Sequence, residues 1–353
     1  MIDQSFWKNK KVFLTGHTGF KGSWLSIWLN KLGAKVRGYS LSPNTNPSLF
    51  DESKVENIVE SIIGDIRDLA KLTSAMNSFE PEIIIHMAAQ PLVRYSYEFP
   101  IETYEVNVIG TANILESARS CNSVKAIINI TTDKCYENDD RKAGYRENDP
   151  MGGFDPYSSS KGCAELVASS YYRSFFKNKT VGLASVRAGN VIGGGDWAKD
   201  RLFPDILKSF SSKEQLIIRN PNSVRPWQHV LEPLSGYILL AQKLFYKPEE
   251  FSGGWNFGPE DKSTKSVKQI LDMVSYIRPD VSWILDNIHG PHEAEYLRLD
   301  ITKAREKLNW TPVWNIELTI RNILSWHDAW VKNDETYNLC DIEISKYMKD
   351  MKK

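Results

Sequence analysis

The stretch KVFLTGHTGFKG, residues 11–22, decides the fold of this 353-residue chain. Its first five residues predict a short buried strand. Gly16, Gly19 and Gly22 follow directly, and residues 23–32 then place apolar side chains at helical spacing. A glycine-rich turn from strand to helix predicts a dinucleotide site, because backbone N–H groups face the phosphates and glycine allows close approach. A plain turn is the alternative, since turns are rich in glycine.

Strands and helices continue to alternate after this unit. Further short apolar runs follow at residues 34–39, 62–66, 83–87, 126–130 and 182–186. This alternation predicts an α/β fold, a Rossmann-type doubly wound parallel sheet. From residue 187 the sequence becomes irregular and rich in glycine. We therefore expect an NAD-binding domain over 1–186 and a smaller, mixed α/β substrate domain mainly over 187–353, with segments near 229–250 returning to the first domain.

Composition and charge exclude several classes of partner. The 44 basic and 44 acidic residues cancel, so there is no electrostatic case for binding nucleic acid or a membrane surface. The N-terminal apolar run is too short for a signal-peptide core or a membrane span. The four cysteines have no metal-ligand spacing, which predicts free thiols in a reducing compartment and no metal site. We expect a cytoplasmic protein.

Tyr157 and Lys161 form the first pair of candidate catalytic residues. They are four residues apart, so on a helix they share one face. An ammonium beside a phenol favours the phenolate and lowers its pKa, which suits a tyrosine that acts as a base near neutral pH.

Thr132, Asp133 and Lys134 place a hydroxyl, a carboxylate and an ammonium just after the apolar run 126–130. Open α/β sheets bind their ligands at this carboxyl end of the strands. A salt-bridging strand end is the alternative to a catalytic acid–base pair. The polar, glycine-rich stretch 137–155 that follows could cover the site.

The GxxGxxG spacing and the Tyr-x-x-x-Lys pair resemble the extended branch of the short-chain dehydrogenase/reductase superfamily. The resemblance implies NAD as the cofactor, and a homodimer or higher oligomer formed through helices. The second strand departs from the family, since it ends in Tyr39-Ser40 where an acid should bind the adenosine ribose. Arg37 nearby could face solvent or contact a 2′-phosphate. The cofactor-binding positions are then Gly16, Gly19, Phe20, Gly22, Asp65, Ile66, Ala88, Ala89, Asn107, Tyr157 and Lys161.

Two of these positions have specific implied roles. In the family the acid at Asp65 accepts a hydrogen bond from the adenine amine, and capping of the next helix is the alternative. Asn107, which we place within a long helix over about 100–121, helps in the family to hold the active-site strand and its water.

Further motifs narrow the resemblance to nucleotide-sugar 4,6-dehydratases. They are GHTGFKGSWL, HMAAQPLVR, TDKCY, GNVIGGGDW and RPWQHV, which begin at residues 16, 86, 132, 189 and 225. By position, Asn190, Arg201 and Arg225 would hold the substrate diphosphate and nucleotide, with Arg94 as a further member. Guanidinium groups suit this task because their forked N–H donors match phosphate oxygens. Lysine at position 134, where the dTDP-glucose enzymes carry glutamate, points to CDP-D-glucose as the substrate.

The implied reaction is NAD-dependent dehydration of CDP-D-glucose to CDP-4-keto-6-deoxy-D-glucose, a step of deoxysugar and O-antigen lipopolysaccharide biosynthesis. Tyr157 would take the C4 hydroxyl proton while Thr132 binds the same oxygen. Lys134 would remove the C5 proton and Asp133 would protonate the departing C6 hydroxyl. These roles require a raised pKa at Asp133 and a lowered pKa at Lys134.

Three alternatives remain at this point. A nucleotide-sugar 4-epimerase of the same fold needs Tyr157 and Lys161 but not the acid–base pair. A dehydratase could act on another nucleotide sugar. A catalytically silent dinucleotide sensor would usually lack the tyrosine.

Overall fold

The computed structural model describes residues 1–139, 141–212, 215–218, 220–279, 281–285 and 297–352. The strands, in chain order, are β1 (Lys11–Thr15), β2 (Lys35–Ser40), β3 (Glu60–Ile63), β4 (Ile83–His86), β5 (Ala126–Ile130), β6 (Gly182–Ala188), β7 (Val191–Ile192), β8 (Leu216–Ile218), β9 (Val224–Pro226), β10 (Gln228–His229), β11 (Gly253–Phe257), β12 (Thr264–Ser266) and β13 (Trp283–Leu285). The α-helices are α1 (Gln4–Trp7), α2 (Phe20–Lys31), α3 (Leu49–Glu52), α4 (Leu69–Phe79), α5 (Val93–Glu98), α6 (Pro100–Tyr104), α7 (Gly110–Ser120), α8 (Pro156–Tyr171), α9 (Leu202–Ser212), α10 (Leu231–Tyr246), α11 (Pro248–Phe251), α12 (Val267–Ile277), α13 (Thr302–Leu308), α14 (Ile316–Val331) and α15 (Thr336–Asp350).

Seven parallel strands form the central sheet, in the order β11-β6-β5-β4-β1-β2-β3. The chain runs outward from β1 to β3 and then returns past β1 to β4, so the switch point lies between β1 and β4. Strands β4, β5 and β6 are buried along their whole length because apolar clusters cover both faces of the sheet. The predicted Rossmann-type doubly wound fold is confirmed.

The second half of the chain contributes to both parts of the molecule. Its strand β11 forms one edge of the central sheet, α10 packs on that sheet and on α2, and α15 packs on α2. The remaining strands form two-stranded pairs, and a separate apolar cluster joins α9, α12 and α14. We retain the domain division as a proposal, with β11 and α15 added to the first domain. Within the described part of the chain, none of the helices combines the length and the apolarity needed to cross a bilayer.

The helix predicted over 100–121 consists of three pieces. Helices α6 and α7 are separated by a π-helical turn, Glu105–Ile109, which contains Asn107. The Asn107 side chain accepts a hydrogen bond from the Gln90 N–H (2.9 Å) and donates to the Ser160 hydroxyl (2.9 Å). A π-helical turn inserts one residue into the helix, which is common where a side chain serves a site.

The strand predicted over 182–186 ends too early, because it leaves out Arg187. This residue lies within β6 and does not open an irregular loop. Its side chain is only 4% exposed and pairs with Glu165. A guanidinium can be buried in a strand when a carboxylate pairs with it and accepts its hydrogen bonds. The sequence around Arg187 does not reveal this partner, because Glu165 is distant along the chain.

Candidate active site

The glycine-rich turn after β1 fits a cofactor diphosphate. Gly16 has a φ of +76°, and a Cβ there would lie 2.7 Å from the Ala88 nitrogen. A Cβ on Gly22 would lie 2.0 Å from the Gly16 carbonyl oxygen. Gly19 occupies the N-cap of α2, where none of the described side chains caps the helix. The first N–H groups of α2 therefore remain available to an anion, as dinucleotide binding requires.

Asp65 follows β3 and binds Arg67. The Arg67 backbone N–H donates to Asp65 Oδ1 (2.8 Å) and the Arg67 Nη2 donates to Oδ2 (2.6 Å). The hydrogen bond from Arg67 lowers the pKa of Asp65. The N-cap of α4 is Asp68, whose carboxylate accepts the Lys71 N–H (3.0 Å), so the capping alternative for Asp65 is wrong. An adenine contact for Asp65 stays a prediction.

Other predicted cofactor positions lie around the same edge of the sheet. The Ala88 N–H donates to the Thr15 hydroxyl (3.1 Å), which holds the chain after β4 against β1. Ile66 is buried and packs on Gly110, at the start of α7. The Arg37 side chain is only 12% exposed and pairs with Glu60 (2.6 Å), so its guanidinium is engaged within the protein. The roles of Phe20, Ile66, Ala88 and Ala89 remain predictions.

Helix α8 positions Tyr157 and Lys161. The Asp155 carboxylate caps it by accepting the Ser158 N–H (2.9 Å). Both predicted side chains are buried, and the Lys161 ammonium donates to the Ile130 carbonyl (3.1 Å). Lys161 therefore joins the helix to the end of β5.

The electrostatics of this pair differ from the expectation. Burial raises the pKa of Tyr157 to about 12, although a hydrogen bond with Thr132 opposes the rise. Burial also lowers the pKa of Lys161 to about 8. The lysine thus does not by itself produce a phenolate, because desolvation penalises both charged forms. The positive charge of an oxidised nicotinamide beside the phenol would favour the phenolate, so the pair fits that cofactor.

Thr132 and the residues after it form a short 3₁₀ turn, Asp133–Cys135. The Thr132 hydroxyl accepts the Lys134 N–H (3.3 Å) and donates to Asp133 Oδ1 (3.1 Å). Asp133 is 3% exposed, and its Oδ2 atom has no partner among the described residues. Burial raises the pKa of Asp133 to about 6, against the charges of Lys134 and Arg225. The expected raised pKa is confirmed, and this carboxyl can hold a proton near neutral pH.

The predicted substrate residues surround this centre. Arg225 is buried and donates to the Val224 carbonyl (3.0 Å), while its charge lowers the pKa of Asp133 against the effect of burial. Arg201 pairs with Asp196 (3.0 Å), and its charge acts on the pKa of Tyr157. The charges of Arg225 and Arg201 therefore lower the pKa values of two groups of the reaction centre, Asp133 and Tyr157 respectively.

The other two predicted contacts lie at its margin. Arg94 pairs with Asp200 (3.6 Å) and is about one-third exposed. Asn190 directly precedes β7, and its carbonyl accepts the Gln228 N–H (3.0 Å). Substrate contacts for all four residues stay predictions.

Two side chains in the centre were missed by the sequence reasoning. Lys21 lies in the first turn of α2, with its ammonium 5.8 Å from the ring centre of Tyr237. Burial lowers the pKa of Lys21 to about 8, with further lowering by the charges of Lys161 and Arg201. Tyr237 is fully buried, and its hydroxyl has no partner among the described residues. The sequence did carry one indication of Lys21: it is a charged residue in the first turn of α2, a helix whose following residues are buried.

Comparisons with known proteins agree with this geometry. The sequence matches the family model described as GDP-mannose 4,6 dehydratase over residues 13–323. It is 57% identical over 354 aligned residues to the CDP-glucose 4,6-dehydratase of Salmonella typhimurium, covering 99% of each chain.

Solved structures with low sequence identity share the fold. One is a UDP-glucose 4-epimerase from Stenotrophomonas maltophila with bound NAD, with a TM-score of 0.80 and 18% identity over 92% of this chain and 100% of that one. Another is a dTDP-glucose 4,6-dehydratase from Bacillus anthracis in complex with NAD, with a TM-score of 0.74 and 19% identity over 90% and 96%. Taken with the family match and the close relative, these findings show that the chain belongs to the GDP-mannose 4,6-dehydratase family, within the extended short-chain dehydrogenases/reductases.

Proposed function

We propose that this protein is a hydro-lyase that converts CDP-D-glucose to CDP-4-keto-6-deoxy-D-glucose with NAD. The observation that carries the proposal is a buried carboxyl, Asp133, whose pKa is raised to about 6 beside Tyr157. Such a group supplies an acid for loss of water, which oxidation alone does not need. The 57%-identical relative named CDP-glucose 4,6-dehydratase supports the substrate and the reaction.

Direct loss of water from the sugar is difficult because the C5 proton is not acidic and hydroxide is a poor leaving group. NAD, held at the glycine-rich turn and beside Tyr157, would supply the acceptor for the C4 hydride and the donor that returns it to C6, and the C4 ketone would make the C5 proton acidic in between. Tyr157 takes the C4 hydroxyl proton, and Thr132 binds the same oxygen. Lys161, held at the Ile130 carbonyl, keeps a positive charge beside the phenol.

Elimination uses the two residues that follow Thr132. Lys134 removes the C5 proton and returns it to C5 when hydride adds to C6, and Asp133 gives its proton to the departing C6 hydroxyl. The free Oδ2 atom of Asp133 is the oxygen available for this transfer, because Oδ1 is already held by Thr132. Burial keeps the carboxyl protonated at a higher pH than an exposed aspartate would allow.

The substrate diphosphate is assigned to Asn190, Arg201 and Arg225, with Arg94 at the margin. Arg225 supports this assignment most directly, because its charge reaches Asp133 from a buried position. A guanidinium held there can pair with phosphate oxygens while the sugar lies over the acid–base pair.

A 4-epimerase would need only the tyrosine and the lysine of α8. The buried, partly protonated Asp133 favours dehydration over epimerisation, and the presence of Tyr157 disfavours a catalytically silent dinucleotide sensor. Four free cysteines support a reducing cytoplasm as the place of action. The product would enter deoxysugar synthesis for surface polysaccharide.

The proposal is tested by incubating the purified protein with CDP-D-glucose and then raising the pH. A 4-keto-6-deoxy sugar develops ultraviolet absorbance in alkali, whereas an epimer does not. The dTDP-, GDP- and UDP-sugars serve as matched substrates in parallel. An unchanged spectrum with CDP-D-glucose in the presence of NAD would contradict the proposal.

We also propose that the protein is a homodimer. Helices α6 and α8 and the π-helical turn expose large apolar side chains, among them Ile101 (71% exposed), Ile109 (54%) and Leu166 (61%). A second copy of the chain that covers this face would remove them from water.

A further inference from the structure

A buried ion pair lies next to the segment that carries the acid–base pair. Arg187 donates from Nε to Glu165 Oε1 (2.8 Å) and from Nη2 to Glu165 Oε2 (2.9 Å). Their side chains are 4% and 7% exposed. Burying two charges is expensive, and a buried ion pair is often no more stable than an apolar pair of similar volume. Stability alone therefore does not explain this ion pair, and the hydrogen bonds that it makes to other elements indicate what else it does.

Glu165 holds the beginning of the segment. Its Oε1 atom accepts a hydrogen bond from the Thr131 hydroxyl (2.6 Å). Thr131 directly precedes Thr132, and Glu165 lies one helical turn beyond Lys161 on α8. The carboxylate thus connects the catalytic helix to the first residue after β5.

Arg187 holds the end of the segment. Its Nη1 atom donates to the Tyr136 hydroxyl (2.5 Å), and this hydroxyl donates to Asn256 Oδ1 (2.7 Å). Tyr136 directly follows the 3₁₀ turn. Residues 132–135 are therefore held at both ends by the same ion pair.

The ion pair also reaches the stretch predicted to cover the site. Arg187 Nη1 donates to the Glu147 carbonyl (3.1 Å), and the Asn256 N–H donates to the Glu147 carboxylate (3.1 Å). The Asn256 amide donates to the Tyr145 carbonyl (2.8 Å). The covering stretch and the acid–base pair consequently share one anchor.

We infer that Thr131, Tyr136, Glu165, Arg187 and Asn256, the anchor cluster, position Asp133 and Lys134 for the elimination step. This inference rests on the proposed function. These five are positioning residues, because they act through the backbone on either side of residues 132–135. Elimination takes both of its groups, Asp133 and Lys134, from this segment. Oxidation at C4 takes only Thr132 from it, because Tyr157 and Lys161 are held by the body of α8. Elimination should therefore be the step that is more sensitive to the anchor cluster.

The variants Tyr136→Phe and Thr131→Val each remove one hydroxyl of the anchor cluster and keep the shape of the side chain. In a single turnover with CDP-D-glucose, we expect elimination to slow by about 10- to 100-fold, since small misplacements have effects of that size. Oxidation should change by less than about threefold. Reduced cofactor would then accumulate, visible by its near-ultraviolet absorbance. Thr131→Ser restores the hydroxyl and should restore the wild-type ratio of the two rates.

Tyr347→Phe is the matched control. Tyr347 is fully buried and donates to the Glu232 carboxylate (2.6 Å), but it lies on α15, away from the acid–base pair. We expect this variant to lose thermal stability without a change in the ratio of oxidation to elimination. Thermal unfolding of all four variants is measured in parallel, and Thr131→Val provides the test if Tyr136→Phe does not fold.

The inference would be overturned if both steps slowed equally, so that the ratio of oxidation to elimination stayed unchanged in the folded variants. It would also be overturned if Tyr347→Phe changed that ratio as much as the anchor-cluster variants do. Either outcome leaves the proposed function intact as long as the wild-type enzyme forms its product. A wild-type enzyme that forms no 4-keto-6-deoxy product would overturn the proposed function, and this inference with it.

Discussion

The Thr132 hydroxyl donates a 3.1 Å hydrogen bond to Asp133 Oδ1, while Oδ2 of the same carboxylate is buried without a partner among the described residues. One oxygen is thus held in place and the other is left for a proton shared with a ligand. Desolvation then favours the protonated acid. We expect this relationship to distinguish a dehydratase site from a site that only oxidises.

Asp133→Asn should abolish elimination and retain oxidation at C4. The amide keeps the size of the side chain but cannot protonate the leaving hydroxyl, so we expect product formation to fall by about 10²- to 10⁴-fold. A single turnover with CDP-D-glucose should show lasting near-ultraviolet absorbance of reduced nicotinamide. Tyr157→Phe is the control and should show neither product nor absorbance. An Asp133→Asn enzyme without that absorbance would refute the division of roles.

The same substitution should stabilise the protein at alkaline pH. The pKa of Asp133 is raised to about 6 in the folded state, so the folded protein binds this proton more tightly than the unfolded chain. The contribution of Asp133 to wild-type stability should therefore fall between about pH 4 and pH 6 and stay lower above that range. At about pH 8 we expect the free energy of unfolding of Asp133→Asn to exceed that of wild type by about 2 kcal/mol. Near pH 4 we expect little difference between the two. Denaturant unfolding at both pH values measures this, and an equal difference at both would contradict it.

Cofactor binding should lower the pKa of Tyr157. Burial raises this pKa to about 12, and a positive nicotinamide beside the phenol would favour the phenolate. Adding NAD⁺ to the protein in weak buffer at about pH 8 should release a proton and raise tyrosinate absorbance. Both signals should be missing in Tyr157→Phe and on addition of NADH. Proton release that persists in Tyr157→Phe would assign it to another group.

Gly19→Ala and Gly22→Ala should separate cofactor binding from folding. A Cβ on Gly19 would lie 3.5 Å from the Gly16 carbonyl oxygen, an ordinary contact, whereas a Cβ on Gly22 would lie 2.0 Å from the same atom. We expect Gly22→Ala to lose about 2 kcal/mol or more of unfolding free energy. Gly19→Ala should keep the stability of the cofactor-free protein but bind NAD more weakly, because its methyl group would lie where the diphosphate approaches. Thermal unfolding and NAD titration of both variants decide this, and equal stability of the two would disprove the steric argument.

Leu166→Glu should convert the proposed dimer to a monomer. Leu166 is 61% exposed on α8, and a charge there would be desolvated in a helix interface. Tyr276→Glu is the control, since Tyr276 is 83% exposed on α12, away from that face. Light scattering after size exclusion gives the mass of each variant. A wild-type monomer, or a dimer that persists in Leu166→Glu, would count against this interface.

The sequence by itself determined the parts of the protein that depend on local spacing. The strand, glycine turn and helix over residues 11–32 lie next to one another in the chain, and the four-residue spacing of Tyr157 and Lys161 places them on one helical face. Thr132, Asp133 and Lys134 were recognisable because they directly follow a buried strand. In each case the residues that form the recognisable pattern are close together in the chain and also form the local structure that the pattern predicts.

Only the tertiary structure decided the environments of these groups. Arg187 was expected in a loop, but Glu165, 22 residues earlier, holds it inside the sheet. Tyr136 meets Asn256 across 120 residues of sequence. The pKa values of Asp133 and Tyr157 are set mainly by burial, which depends on how distant elements pack. Desolvation and long-range pairing are properties of the folded chain, so the sequence indicated the candidate reacting groups and the fold determined their proton affinities.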